Sequence, residues 1–227
     1  MGLVIGIDLD NTVIDYDGVF FELAAERGWL PPAAGPGGRP GKRALRDALR
    51  AAGPAGEDRW RWLQAQAYGP RIGRAALFPG VAAALAGLAA DGARLHVVSH
   101  KTARANHHDT KTDLRRAALD FLAARGLTGP GGPLGEARIH FRDTRREKLD
   151  TIRRLGCRAF VDDLPEVLGD PDFPPGTVRV LFDPAEPAES GEPAGYPAEA
   201  GLIRCRDWAE VGRAVRRLCP PCREEAP

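Results

Sequence analysis

The chain of 227 residues has no long hydrophobic run and no excess of either charge. A membrane-spanning helix needs about 18 or more consecutive apolar residues. The apolar N-terminal stretch already ends at Asp8, and it lacks the basic flank of a secretion signal. A net charge of +1 provides no overall basic field for binding nucleic acid or an acidic membrane surface. We therefore expect a cytoplasmic protein with neither nucleic-acid nor membrane partners.

Cysteine and lysine are both scarce. Four cysteines without an export signal argue against a disulfide framework. The CxxC pair Cys219 and Cys222 follows a predicted helix, whereas a redox pair normally precedes one. Only four lysines accompany 28 arginines, and arginine does not replace a compact ammonium group everywhere. The lysines of interest are therefore Lys42, Lys101, Lys111 and Lys148.

Short apolar runs alternate with helical patterns along most of the chain. These runs predict five buried strands, at residues 3–9, 93–99, 137–141, 159–161 and 178–182. Such alternation is typical of a parallel sheet with helices on both faces. We therefore expect an α/β fold with a three-layer α/β/α, Rossmann-like core.

One segment interrupts this alternation. Residues 17–74 show helical patterns around a loop rich in proline and glycine at 31–41, which predicts a small helical insert. The core domain would then consist of residues 1–16 and 75–227. Trp60 and Trp62 are two positions apart in the insert, so we expect one in the core and the other at a cleft or in solvent.

Polar side chains follow the ends of the predicted strands. They are Asp8, Asp10 and Thr12 after the first strand, Ser99 after the second, Lys148 in the helix after the third, and Asp162 and Asp163 after the fourth. Because ligands bind outside the carboxyl ends of parallel strands, we expect these side chains at one edge of the sheet. Clustered acids raise each other's pKa unless a cation intervenes, and their oxygens suit Mg²⁺. Acids lying far apart, or a salt bridge in place of the ion, would contradict this expectation.

This set of side chains predicts phosphoryl transfer. One carboxylate attacks phosphorus and forms an acyl phosphate. A second carboxylate, two residues along, protonates the leaving alkoxide and then activates water. A hydroxyl and an ammonium group hold the phosphoryl oxygens while Mg²⁺ screens the approach of the two anions.

The motifs VIGIDLDNT, VVSH, the lysine of REKLDTI, and FVDD resemble those of the haloacid dehalogenase-like (HAD) hydrolase superfamily in order and strand context. The resemblance covers about residues 2–17 and 77–183. It implies that Asp8 is the nucleophile and Asp10 the general acid/base. It further implies that the phosphoryl group is bound by Thr12, Ser99, His100 and Lys148, and that Mg²⁺ is held by Asp8, Asp162, Asp163 and the backbone carbonyl of Asp10.

The presence of Asp10 favours phosphate ester hydrolysis over carbon–halogen cleavage within this superfamily. The insert lies where members of the superfamily carry helical caps. We therefore predict a Mg²⁺-dependent phosphomonoester hydrolase, a monomer or homodimer, which acts on a small phosphorylated metabolite through an aspartyl-phosphate. His107 and His108, in the loop after the second strand, are further candidates for contact with the substrate.

Two alternatives remain open. The protein could be a phosphatase acting on nucleic-acid ends or phosphoprotein, which would need an open cleft and a basic track. It could also be a non-catalytic binding or scaffold domain of the same fold, although the complete catalytic set argues against this.

Overall fold

The computed structural model describes residues 2–30, 41–107, 111–184 and 201–218. Its strands are β1 (Val4–Ile7), β2 (Ile14–Asp15), β3 (Ala76–Leu77), β4 (Arg94–His100), β5 (Ile139–Arg142), β6 (Ala159–Asp162), β7 (Val178–Phe182) and β8 (Leu202–Cys205). Its α-helices are α1 (Asp17–Glu26), α2 (Lys42–Ala51), α3 (Gly56–Tyr68), α4 (Val81–Ala90), α5 (Leu114–Ala124), α6 (Arg145–Leu155), α7 (Pro165–Leu168) and α8 (Trp208–Arg216). No helix within these ranges has both the length and the apolarity of a membrane span.

Six strands form one parallel sheet in the spatial order β5-β4-β1-β6-β7-β8. The predicted α/β, Rossmann-like core is therefore confirmed, with five of its strands near their predicted positions. The edge strand β8 is missing from the sequence prediction, because a four-residue strand with an arginine inside it has little periodicity to detect. The short strands β2 and β3 form a separate antiparallel pair.

The sheet is covered on both faces. Ile5 and Ile7 of β1 belong to the larger apolar cluster, which also contains the buried side chains of α4 and α8. Val4 belongs to a second cluster with the buried side chains of α6 and α7. Gly6 makes this second packing possible, because a Cβ atom there would lie only 2.5 Å from the ring of Phe160.

Helices α1 and α3 share a dense aromatic core. Trp60 stacks on Phe20 with the ring centroids 5.0 Å apart, and Trp62 meets Trp29 edge-on at 5.3 Å. Both tryptophans are buried. Trp62 is covered by Trp29, which follows α1, whereas Trp60 contributes to the lining of a cleft. The expectation of one tryptophan in the core and the other at a cleft therefore agrees with the structure, although both side chains are largely buried. Most of the expected proline- and glycine-rich loop, residues 31–40, lies outside the described residues.

Candidate active site

The carboxyl ends of β1, β4 and β6 meet at one edge of the sheet. Ile7 pairs with Val97 on one side and with Val161 on the other, so the three strands end together. Asp8 directly follows β1, and its backbone N–H donates to the Val161 carbonyl at 2.8 Å. Asp162 is the last residue of β6. Strand register thus brings together acids that are far apart in the sequence.

Asp8, Asp162 and Asp163 form a carboxylate cluster at this edge. Each offers one oxygen, and these oxygens lie within 4.8 Å of one another. Asp8 and Asp162 are buried, and Asp163 is partly exposed. The acids after β1 and β6 therefore lie together, as the proposed metal site requires.

Lys148 lies within this cluster and is almost completely buried. Its Nζ donates to Asp8 Oδ1 at 2.6 Å and to Asp162 Oδ2 at 2.7 Å. The other oxygen of Asp162 accepts from the backbone N–H of Leu164 at 2.9 Å. The salt bridge therefore engages two of the three acids and leaves Asp163 outside it, so it occupies only part of the proposed ion site.

The start of α6 positions Lys148. The Thr144 hydroxyl accepts a hydrogen bond from the Glu147 backbone N–H, and the Glu147 carboxylate accepts one from the Thr144 backbone N–H. This is the capping box that the sequence predicts, and it satisfies two backbone donors that a helix start leaves unpaired. Because the cap fixes the start of α6, Lys148 lies one turn into the helix, where its side chain reaches the acids.

The cluster carries more negative charge than Lys148 balances. Burial raises the pKa of Asp8 well above its ordinary value, and Asp162 and Asp163 add to this rise while Lys148 opposes it. Burial, followed by the charge of Asp162, raises the pKa of Asp163 to about 7. Burial alone would lower the pKa of Lys148, but Asp162 and Asp8 outweigh it and raise that pKa.

A further cation would relieve this excess of carboxylates. The donors are all oxygens, which hard divalent ions such as Mg²⁺ prefer. Asp162 already uses both oxygens on protein donors, so Asp8 and Asp163 have the greater capacity to bind an ion. The residues present therefore fit the metal that the sequence analysis expects.

The carboxylate of Asp10 has partners of its own. The Tyr16 hydroxyl donates to Oδ1 at 2.9 Å. Lys101 Nζ donates to Oδ1 at 3.0 Å and to Oδ2 at 2.8 Å, and it lies 4.6 Å from the centroid of the Tyr68 ring. Lys42, at the start of α2, donates to the Tyr68 hydroxyl at 3.1 Å. Asp10 is thus held in a cationic and aromatic setting.

Lys42 and Lys101 are not among the site residues that the sequence motifs predict. Their only signal was the scarcity of lysine, and three of the four lysines in the chain lie at or beside these acids. Neither residue belongs to a motif of the resemblance. Their placement depends on how the insert and the loop after β4 pack.

The other predicted phosphate-binding residues occupy different surroundings. Thr12 is buried, and its hydroxyl donates to Asp163 Oδ1 at 3.5 Å. Ser99 is buried near the end of β4. His100 Nε2 lies 2.8 Å from the backbone carbonyl of Asp143, so its ring is engaged there. Phosphate binding by these three residues stays a prediction.

The loop between β4 and α5 is described at residues 101–107 and 111–113, so His108 and Asp109 lie outside the described residues. The ring of His107 is buried, with Nε2 at 3.6 Å from Asp58 Oδ1 of α3. Its expected contact with substrate stays a prediction. The Cys219 and Cys222 pair also lies outside the described residues.

No protein-family model and no curated protein matches the chain. Among solved structures, it is similar to a HAD family hydrolase from Deinococcus radiodurans with bound phosphate and sodium, at 18% identity and a TM-score of 0.57 over 96% of each chain. A predicted phosphoglycolate phosphatase from Haemophilus somnus is similar at 18% identity and a TM-score of 0.53, over 94% of this chain and 98% of that one.

The protein tyrosine kinase A of Mycobacterium tuberculosis is similar to the same degree, with 18% identity and a TM-score of 0.55 over 94% of this chain and 98% of that one. Proteins with different names therefore share this architecture. At such identities the likeness concerns the fold, and the function is inferred from the residues of the site.

Proposed function

We propose, on the premise that this chain has the fold of the haloacid dehalogenase-like hydrolases, that it is a Mg²⁺-dependent phosphomonoester hydrolase. The observation that carries the proposal is the cluster of Asp8, Asp162 and Asp163 around Lys148, with the second carboxylate of Asp10 two residues after Asp8. The substrate is a small phosphorylated metabolite.

Asp8 is the nucleophile in this proposal. An oxygen of its carboxylate forms a bond to phosphorus as the bond from phosphorus to the leaving oxygen breaks. Asp10 gives its proton to the leaving oxygen, so an alcohol departs. Asp10 then takes a proton from water as the water oxygen attacks phosphorus, and the carboxylate of Asp8 is released together with inorganic phosphate.

Lys148 holds the nucleophile in place through its bond to Asp8 Oδ1 and offers positive charge to the phosphoryl oxygens. Asp8, Asp162 and Asp163 would hold Mg²⁺, with the backbone carbonyl of Asp10 as a further ligand. Bound Mg²⁺ supplies the positive charge that lets an anionic phosphate approach an anionic carboxylate.

Residues 17–74 act as a cap over this site in our proposal. Supporting this role, Tyr68 of α3 packs its ring against Tyr16 at 4.7 Å and lies beside Lys101. An insert that covers the site would exclude water and favour small substrates over macromolecules. The same reasoning disfavours a phosphatase acting on nucleic-acid ends or phosphoprotein.

The test is release of phosphate from a panel of phosphomonoesters, with Mg²⁺ and with a chelator. We expect release that depends on Mg²⁺. Brief reaction with a ³²P-labelled substrate followed by an acid quench should label the protein, and hydroxylamine, which cleaves acyl phosphates, should remove the label. Lack of release from every ester in the panel would contradict the proposal and favour a non-catalytic domain.

A further inference from the structure

A small cavity of about 240 Å³ opens at the carboxylate of Asp10. One wall is formed by side chains of α3, and the other by the loop that follows β4. The residues that matter for its chemistry are Asp10, Arg61, Gln64, Lys101, Thr102 and Asn106. Drug-sized ligands occupy cavities of about 300–1,000 Å³, so this one suits a group of only a few carbon atoms.

Lys101 gives this cavity a buried positive charge. Only 4% of the residue is exposed, and its backbone N–H is fixed by a hydrogen bond to the Arg142 carbonyl at 3.0 Å. A buried ammonium needs counter-charge, which the Asp10 carboxylate supplies through two hydrogen bonds in the protein without substrate. When Asp10 carries the proton that it gives to the leaving oxygen, an anionic group of the ligand can supply this counter-charge instead. An ammonium group has three protons, so these bonds leave one, for which a ligand would compete with the face of the Tyr68 ring, whose centroid lies 4.6 Å away.

Arg61 supplies a second cation from the opposite wall. Its Nε lies 3.3 Å from Glu57 one turn earlier on α3, and both side chains are more than 40% exposed. Such an exposed pair contributes little stability, so a ligand can displace it at little cost. A guanidinium group can bind a carboxylate or a phosphate through two parallel hydrogen bonds. Gln64, Thr102 and Asn106 add neutral polar groups to the same walls.

A second, larger cleft of about 700 Å³ provides a contrast. It opens beside Asp163 and mixes the acids Asp15, Asp17, Asp163, Glu166 and Asp183 with the bases Lys42, Arg43, Arg46 and Arg50. This mixture gives no preference for either sign of charge. The cavity at Asp10 is lined by two basic side chains, Lys101 and Arg61, and by one acid, so its lining favours an anion.

We infer that this cavity receives the leaving group of the substrate, and that this leaving group carries a second anionic group, a carboxylate or a phosphate, held by Lys101 and Arg61. The inference rests on the proposed function, because the leaving oxygen must reach Asp10 to take its proton. The rest of the leaving group then extends from Asp10 into the cavity. The substrate class is a short-chain phosphomonoester that carries a second anionic group.

The test compares three-carbon phosphomonoesters that differ in this group. Glycerol 3-phosphate has no anionic group besides its phosphate, 3-phosphoglycerate also has a carboxylate, and propane-1,3-diol bisphosphate has a second phosphate. We expect kcat/KM to be about 10- to 100-fold higher than for glycerol 3-phosphate for at least one of the two substrates with a second anionic group, because that group would accept charge-assisted hydrogen bonds. The one that is preferred identifies the group.

Variants locate the preference in the cavity. Arg61→Gln and Lys101→Met should each reduce the preference for the substrate with a second anionic group to a few-fold. Arg61→Gln changes an exposed side chain that does not contact Asp10, so it should leave the fold unchanged. Lys111→Met, which alters an exposed lysine outside the cavity lining, should keep it. Calorimetry can measure the affinity of Asp8→Asn protein for each of the three esters without turnover. The ester with the highest kcat/KM should bind more tightly than glycerol 3-phosphate.

The outcomes separate the inference from the proposed function. Equal kcat/KM for all three esters, or an unchanged preference in both Arg61→Gln and Lys101→Met, would overturn the inference while hydrolysis itself stood. Absence of phosphate release from all three esters and from p-nitrophenyl phosphate with Mg²⁺ would overturn the proposed function, and the inference with it.

Discussion

The acid cluster at the sheet edge and the cavity beside Asp10 each contain a lysine bonded to aspartate, but they are built differently. Lys148 reaches Asp8 and Asp162 from a helix fixed by its own cap, and all three side chains are buried. Lys101 reaches Asp10 from a loop, and 19% of the Asp10 side chain is exposed. The first arrangement is enclosed within the protein and suits chemistry shared by many substrates, whereas the second borders an open cavity, where it can contact the part that differs between substrates.

The largest effect on turnover should come from replacing the proposed nucleophile in the acid cluster. Asp8→Asn replaces one carboxylate oxygen by an amide NH2 and removes the negative charge, but it keeps the size of the side chain and one oxygen that can accept from Lys148. We expect kcat to fall by about 10³-fold or more, with the circular dichroism spectrum unchanged. Near-normal turnover in this variant would show that Asp8 is not the nucleophile.

The two lysines should differ in what they contribute to stability. Lys148→Met leaves buried carboxylates without their cation and should lower the free energy of unfolding by about 3–5 kcal/mol. Lys101→Met leaves a more exposed carboxylate that also accepts from Tyr16, and should cost about 1–3 kcal/mol. Urea denaturation of both variants, with Lys111→Met as the exposed control, measures the difference. Equal losses of unfolding free energy in Lys148→Met and Lys101→Met would contradict the difference that we infer between the two arrangements.

Metal binding should depend on pH through Asp163. The pKa of this carboxyl is raised to about 7, so it is protonated below that pH and cannot act as a ligand there. We expect the association constant for Mg²⁺, measured by calorimetry without substrate, to rise about tenfold per pH unit below this pKa and to level off above it.

The matched control for this dependence is Asp163→Asn, which lacks the titrating carboxyl. It should bind Mg²⁺ more weakly and lose the part of the pH dependence near 7. A constant affinity across this pH range in the unaltered protein would contradict the role of Asp163 as a ligand.

The smallest effect should come from two threonines, one in each region. Thr144→Ala removes the cap of the helix that carries Lys148 and should cost about 1 kcal/mol. Thr102→Ala removes an exposed hydrogen bond to the Arg104 carbonyl within the loop, and should change stability by less than about 0.5 kcal/mol. Urea denaturation of both variants checks this order, and a larger loss for Thr102→Ala would reverse it.

Local patterns in the sequence were enough to predict most of the sheet and the acid cluster. The apolar run before Asp8 and the run before Asp162 each predict a buried strand, and parallel strands end at a common edge. The capping box at Thr144 likewise predicts where α6 begins, and hence the approximate position of Lys148. Each of these predictions depends on neighbouring residues and on a general rule of sheet topology.

The surroundings of Asp10 were not predictable in the same way. Lys101 looks like an ordinary loop lysine, and Tyr68 like one aromatic residue on a helix. Their contacts with Asp10 depend on how α3 of the insert lies against the loop after β4. Which of the two tryptophans lies at a cleft was not predictable for the same reason, since Trp29, which covers Trp62, lies on a different element.

The amino-acid sequence thus determines which strands are buried, which face each residue takes and which side chains come out at the sheet edge, because these depend on short-range periodicity and strand direction. Only the tertiary structure decides that Lys148 is shared between two acids, that Lys101 pairs with Asp10, and that a cationic cavity opens there. Those features arise from packing between segments that are distant in the sequence, and differences of a few ångströms there decide which charges pair. Local periodicity cannot predict such contacts.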